Sequence, residues 1–323
     1  MKRSPYVLAA LASVAVPGLD VRGVRRLGSP GDYDVAEVTG ADGARFDIRV
    51  PRSDSAGAAL EAELGLLIAL DAHHANGDLP FAVPQVVGKT LLPDGGHAVV
   101  TRYIAATPLR PESMGPEMAA NLGRALGAIH ELPVSTIEAV GLPSYSAENY
   151  RQRRLAELDE VAQTGKVPAS LLRRWEQALE DVALWRFRPV PVHGELGADQ
   201  VLVDGSQVVA ITDWWGARVA DPADDLAWVL VAAPLEVADT IITAYLARRG
   251  NPLDLRLTDR AALISELALT RWLLHGVRND APDVIADAEA MLADLSAAIA
   301  QPVVQPTPAA GVASAEPVET SSP

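Results

Sequence analysis

The sequence predicts an α+β protein of two lobes, a small β-rich N-lobe with one helix and a larger helical C-lobe. Three observations carry this. Residues 21–50 break into three short runs separated by Gly/Pro/Asp turns, an antiparallel meander. Residues 58–72 then place Leu60, Leu64, Leu67 and Ile68 at helical spacing, and residues 97–104 return to strand. Beyond Pro111 the texture changes to long Ala/Leu-rich amphipathic segments, interrupted by a single β-island.

In order, residues 6–16 follow Lys2 and Arg3 as a short apolar stretch. It looks like a small signal-peptide core, but it reads better as an amphipathic helix stopped by Pro17-Gly18. The strands are expected at 21–27, 33–38 and 45–50, with Gly28-Ser29-Pro30-Gly31-Asp32-Tyr33 as the first turn. C-lobe helices are expected at 116–132, 147–164, 169–182, 235–249, 259–277 and 281–300, and the β-island at 190–192, 201–203 and 208–211. The lobes should divide as 1–104 and 105–300, joined by 101–111. Residues 301–323 are Pro-, Ala- and Ser-rich without an aromatic side chain, so a disordered tail is expected.

Composition narrows the chemistry. The 323 residues are 49% hydrophobic and carry 42 acidic against 27 basic side chains, a formal charge of −15. A phosphate backbone or anionic lipid would be repelled, so neither nucleic acid nor membrane is an expected partner. The absence of cysteine excludes thiol nucleophiles and thiolate metal sites. No apolar run is long and charge-free enough to span a bilayer, and a cytoplasmic protein is expected.

The most informative segment is His193-Gly194-Glu195-Leu196-Gly197-Ala198-Asp199-Gln200, followed by a tight hairpin and Asp213-Trp214. The hairpin brings Glu195 and Asp213 to one edge with the Gln200 amide between them. An Asp and an amide oxygen suit Mg²⁺, which takes its remaining ligands from water and phosphate, and the other carboxylate is then free to accept a hydroxyl proton. Phosphoryl transfer also needs a cation for the phosphates. Period-two alternation puts Arg49 opposite Ile48 and Val50, within reach of Glu63 on the next helix. The turn at Gly28, Ser29, Gly31, Asp32 and Tyr33 is a weak candidate for backbone contacts to a nucleotide. His73-His74 reads as a helix-end polar pair.

Taken together, these residues resemble the kinase-like small-molecule phosphotransferases, and most closely the macrolide 2′-phosphotransferases alongside the aminoglycoside enzymes. The resemblance runs from about Pro5 to Ala300. It rests on the His193–Gln200 segment, Asp213-Trp214, and the run Ala217-Arg218-Val219-Ala220-Asp221-Pro222-Ala223-Asp224-Asp225. Asp32-Tyr33, Ile48-Arg49-Val50-Pro51-Arg52, Glu63, Leu79-Pro80-Phe81-Ala82-Val83-Pro84 and Leu126-Gly127-Ala128-Ile129-His130 add to it. It implies a two-lobed protein-kinase-like fold and ATP- or GTP-dependent transfer of the γ-phosphate, with Mg²⁺, to a hydroxyl of a macrolide or aminoglycoside. Glu195 is the implied base within a catalytic group that includes His193 and Asp213, and Asp213 and Gln200 hold the metal. Arg49 and Glu63 hold the phosphates, and Thr101, Arg102, Tyr103 and Ile104 meet the nucleobase.

The sequence departs from the family at two positions, where Glu195 stands for Asp and Gln200 for Asn or His. Both side chains are one methylene longer. Either they lengthened together and kept their separation, or the chain is a catalytically impaired kinase-fold protein that binds nucleotide or a small molecule. For a cationic amino-sugar acceptor, Asp221, Asp224 and Asp225 offer charge, although turn and helix capping is an equal use for Asp221 and Asp225. Trp215, Trp228, Trp272 and Leu273 offer apolar cleft walls, with core packing the plainer role.

Overall fold

The computed structural model describes residues 2–28, 32–93, 95–250 and 254–300. Ser29 and Gly31 of the first turn, and the expected tail at 301–323, lie outside the described residues. Helix α1 (Pro5–Ala15) is capped by Ser4 and leads into β1 (Val21–Arg26), β2 (Tyr33–Gly40) and β3 (Arg45–Pro51). Helix α2 (Asp54–Ala75), β4 (Val86–Leu91) and β5 (His97–Arg102) complete an antiparallel sheet of order β1-β2-β3-β5-β4. Helix α2 starts four residues before the apolar repeat, because the Ser53 hydroxyl accepts from the Ala56 N–H at 3.3 Å and caps the first turn.

Alternation along the strands gives the sheet two unlike faces. Ala36, Val38, Phe46, Ile48, Val50, Ala98 and Val100 form a core under Leu8 and Ala12 of α1, so the stretch that resembles a signal core is a packed helix. Each large aliphatic side chain buried there contributes roughly 1.5–3 kcal/mol. The opposite face carries Glu37, Asp47 and Arg49, with Leu60 and Leu64 of α2 packing on Val99.

The chain then runs through β6 (Thr107–Pro108), α3 (Pro116–Glu131), α4 (Ser135–Glu138), α5 (Ala147–Gln163) and α6 (Ala169–Glu180). After these come β7 (Val190–Val192), β8 (Val201–Asp204), β9 (Gln207–Ile211), β10 (Arg218–Ala220), α7 (Ala223–Ala232), α8 (Leu235–Arg249), α9 (Leu257–Arg278) and α10 (Pro282–Ala300). Helices α4 and α7 and strands β4, β6 and β10 are additions to the elements expected. Helix α7 begins inside the 217–225 run and extends past it to Ala232, and β10 is three residues long and pairs with β7. The shortest of these, α4, β6 and β10, span two to four residues, too few to show a period. Segment 79–84 ties the sheet region to the β-island: Ala82 N–H donates to Val209 O at 2.9 Å, and Ile211 N–H donates to Ala82 O at 3.1 Å. No helix among the described residues is long and apolar enough to cross a membrane.

Candidate active site

The loop after β7 is fixed from below. The Asp225 carboxylate, in the first turn of α7, accepts from the His193 and Gly194 backbone N–H groups, both at 2.7 Å, and from His130 Nε2 at 3.1 Å. Burial disfavours charge on Asp225, yet the His130 bond and these amides hold its carboxyl below the usual aspartate range. Gly194 has φ +85°, and a Cβ there would lie 2.3 Å from Gly216 O, so only glycine fits the turn. The His193 ring is fully buried, and burial lowers its pKa. The neutral ring donates from Nε2 to Thr212 O at 2.8 Å, which ties this loop to the far end of the hairpin.

Glu195 points the other way, into the open. Its Oε1 lies 3.8 Å from Arg271 Nη1 and 4.0 Å from Arg218 Nη1. A Cβ on Gly216 would come within 2.6 Å of Glu195 Cγ, so the glycine leaves the space that the extra methylene occupies. Gln200 and Asp213 stand at the two ends of the β8–β9 hairpin, joined by the Thr212 N–H to Gln200 O bond of 3.0 Å. Asp213 takes a left-handed backbone, φ +64°, and Trp214 beside it is anchored through Nε1 to Ile211 O at 2.9 Å. Strained backbone at an exposed carboxylate is a mark of a functional position. Among the described residues, neither the Asp213 carboxylate nor the Gln200 amide makes a hydrogen bond.

From the sheet side, Arg49 Nη2 donates to Glu63 Oε1 at 2.9 Å, and the Glu63 side chain is nearly buried. Burial opposes the charge on Arg49, but Glu63 and then Asp213 more than offset it, so the arginine pKa rises. Helix α2, which carries Glu63, packs against the Trp214–Gly216 turn that follows Asp213. Tyr33 lies beneath the Arg49 guanidinium at 5.6 Å and donates its hydroxyl to Ala56 O at 3.1 Å. Gly28 is exposed, and Asp32 pairs with Arg52 at 3.3 Å. Of the connection, Thr101 and Arg102 end β5 and Arg102 reaches Gln85. Tyr103 lies under Arg45 at 3.6 Å, and Ile104 is half-buried.

Sequence reading missed the row beside Arg49. Glu37, Asp47 and Thr101 face one another across β2, β3 and β5. Hydrogen bonds from Arg45 and then Arg25 pull the Glu37 pKa down to about 2. Asp47 has no such cation bonded to it. Its Oδ1 is buried without a hydrogen bond, and burial with the Glu37 charge opposite pushes its pKa up to about 6. The signal was present, because the alternation that aims Arg49 aims Asp47 and Arg45 the same way.

Asp221, Asp224 and Asp225 do not form an acceptor surface. Asp221 is fully buried in a two-bond pair with Arg260, and Asp224 bonds Arg154 at 3.1 Å and Arg218 at 2.7 Å. Their charge is spent inside because an unpaired buried carboxylate is too costly. Of the proposed cleft walls, Leu273 is core and Trp228 is half-buried against it. Trp272 is exposed, stacks on His275 and bonds Asp287. Trp215 alone of the four lines a cavity of about 310 Å³, which also meets Tyr145, Glu195 and Arg271. A cavity of about 400 Å³ beside Ser53 and His97 contains none of the predicted site residues. His73 bonds Asp78 at 2.8 Å and Thr136 at 3.1 Å, as a helix-end polar group does.

Comparison with known proteins gives these residues a context. A protein of unassigned function from Bacillus subtilis, YcbJ, is 24% identical over 202 residues, which span 60% of this chain and 65% of the relative. The macrolide 2′-phosphotransferase MphH from Brachybacterium faecium superposes with a TM-score of 0.73 at 24% identity, covering 89% of this chain and 96% of its own. A macrolide 2′-phosphotransferase type I superposes with a TM-score of 0.74 at 26% identity over 89% and 95%. APH(2″)-IIia, solved as its GDP and kanamycin complex, superposes with a TM-score of 0.76 at 21% identity over 91% and 99%. The fold is therefore the kinase-like one of these enzymes. Residues 23–264 match the phosphotransferase enzyme family, APH, and the chain belongs to it.

Proposed function

We propose that the protein is an ATP- or GTP-dependent O-phosphotransferase acting on a hydroxyl of a small molecule. The observation that carries this reading is the Arg49–Glu63 pair on the sheet side, with α2 packed against the Trp214–Gly216 turn that joins the uncommitted Asp213 to the neighbourhood of Glu195. In it, residues 1–104 form the nucleotide-binding lobe and 105–300 the catalytic hairpin and acceptor cleft. Residues 101–104 flank the nucleobase, and the turn at Gly28, Asp32 and Tyr33 lies over the phosphates. Family neighbours solved with GDP or ATP support a nucleotide co-substrate. Such a co-substrate supports a cytoplasmic protein.

Asp213 and Gln200 fit a hard divalent cation, being oxygen donors with no commitment inside the protein. Among the described residues no three His, Cys, Asp or Glu side chains form an all-protein cage, and Mg²⁺ does not need one. When bound, Mg²⁺ would neutralise charge on the phosphate oxygens. Arg49 binds phosphate oxygens with an orientation set by Glu63. Glu195 accepts the acceptor's hydroxyl proton as that oxygen bonds to the γ-phosphorus and the bond to the leaving nucleoside diphosphate breaks. His193 acts as a positioning residue, since its ring holds the loop to Thr212 rather than facing the cleft.

The test is mass-spectrometric detection of phosphate on macrolides and aminoglycosides, the compounds the neighbours' names carry, and on other hydroxylated small molecules. Mg²⁺ with ATP or GTP is supplied, beside an Asp213→Ala control. A phosphorylated product that vanishes in the control supports the reading. Nucleotide-dependent thermal stabilisation without any product would point instead to a kinase-fold binding protein.

A further inference from the structure

We infer that the acceptor carries an oxyanionic group, a carboxylate or phosphate, and is held by Arg153 and Arg271 at the mouth of the cavity beside Glu195. The inference rests on the phosphotransferase reading for its hydroxyl transfer, but the pocket's charge stands on its own observations. The cavity of about 310 Å³ is bordered by Arg153, Arg154, Arg218 and Arg271, against only Glu157 and Glu195. This cationic wall belongs to a chain whose formal charge is −15.

The four arginines are not equivalent. Arg154 is consumed by Tyr150, by Glu157 at 2.7 Å and by Asp224. Arg218 is consumed by Asp224 and by the carbonyls of Gly216 and Gly194. Arg153 is exposed, lies 4.7 Å over the Tyr145 ring and makes no ion pair among the described residues. Arg271 makes one loose contact, 3.8 Å from Glu195. Two guanidiniums therefore present uncommitted N–H donors, a geometry suited to an oxyanion. Glu157 is already paired, so a cationic acceptor would find Glu195 alone to offset both arginines. Trp215, 52% exposed, supplies the apolar wall for a sugar ring or carbon chain.

The arrangement also links binding to the base. An acceptor oxyanion that takes Arg271 draws that guanidinium away from Glu195, leaving the carboxylate freer to accept a proton.

Titration calorimetry on the full chain with D-gluconate, D-glucose 6-phosphate, D-glucose and kanamycin tests the pocket without turnover. The first two ligands distinguish carboxylate from phosphate. Binding of either anion, weakened at least tenfold in Arg153→Ala/Arg271→Ala and largely retained in Arg153→Lys/Arg271→Lys, is expected. Binding of kanamycin without either anion, or anion binding that the double alanine variant keeps, overturns the inference. A phosphotransfer assay on the same compounds separates the two readings. If an anion binds as expected but no compound is phosphorylated with ATP or GTP, the transferase reading fails and the pocket assignment stands. If kanamycin alone is phosphorylated, the pocket assignment fails and the transferase reading stands. Where an anion is phosphorylated, the double alanine variant should raise KM at least tenfold with a smaller change in kcat.

Discussion

Asp225 and Asp213 lie at opposite ends of one short stretch of chain and use the same functional group in opposite ways. Asp225 is fully buried, with a backbone amide pair and His130 spending its charge on fixing the loop that carries Glu195. Asp213 is exposed, takes a left-handed backbone and has no hydrogen bond among the described residues. A carboxylate that is fully committed holds the fold, whereas one left uncommitted in a strained place is available for a ligand.

The largest effect expected from breaking this division is in stability. Asp225→Ala removes the acceptor for two buried amides and a buried imidazole, and should cost about 3–5 kcal/mol in urea unfolding. Asp213→Asn tolerates the same backbone and should stay within about 0.5 kcal/mol of the parent. In a steady-state phosphotransfer assay it should lower kcat by roughly 10²–10³-fold. Equal stability losses in the two variants would erase the distinction.

Gly216→Ala sharpens the comparison from the Glu195 side. Its methyl would enter at 2.6 Å from Glu195 Cγ and displace the carboxylate on the order of 1 Å, enough for about a hundredfold loss in kcat. Glu195→Asp, which withdraws the carboxylate by one methylene, should lose rate by a comparable factor if the longer side chain and Gly216 are matched. A gain in rate would show that they are not.

The smallest effect concerns Asp47, a carboxylate that is neither committed nor exposed. Its pKa is raised to about 6 from an ordinary 3.8, so the native state holds the proton more tightly than the unfolded chain. Stability present at low pH is then lost as pH rises from about 4 to 6, by on the order of 2 kcal/mol. Asp47→Asn should flatten this part of the pH–stability curve, as followed by thermal unfolding at closely spaced pH values. An unchanged slope would mean that Asp47 is paired with a cation in solution.

The division into a β-rich beginning and a helical remainder was legible because periodicity is local. Apolar residues at period two aimed Arg49 away from Ile48 and Val50, and the spacing in α2 brought Glu63 to it. The hairpin that joins Gln200 to Asp213 was legible from its turn chemistry. The charged row of Glu37 and Asp47 followed the same alternation, but required the pairing of β2 with β3 to be seen as a row.

What the sequence determined by itself was the order of elements, the residue types at the site and the overall acidity of the chain. Tertiary structure alone decided which charges are spent. Asp221 and Asp224 meet arginines dozens of residues away, while Arg153 and Arg271, on α5 and α9, converge on one cavity. Composition sums charges along the chain, but an ion pair forms by proximity in space and is strengthened by burial. A strongly acidic sequence can thus fold around its own acids and turn a cationic face toward Glu195.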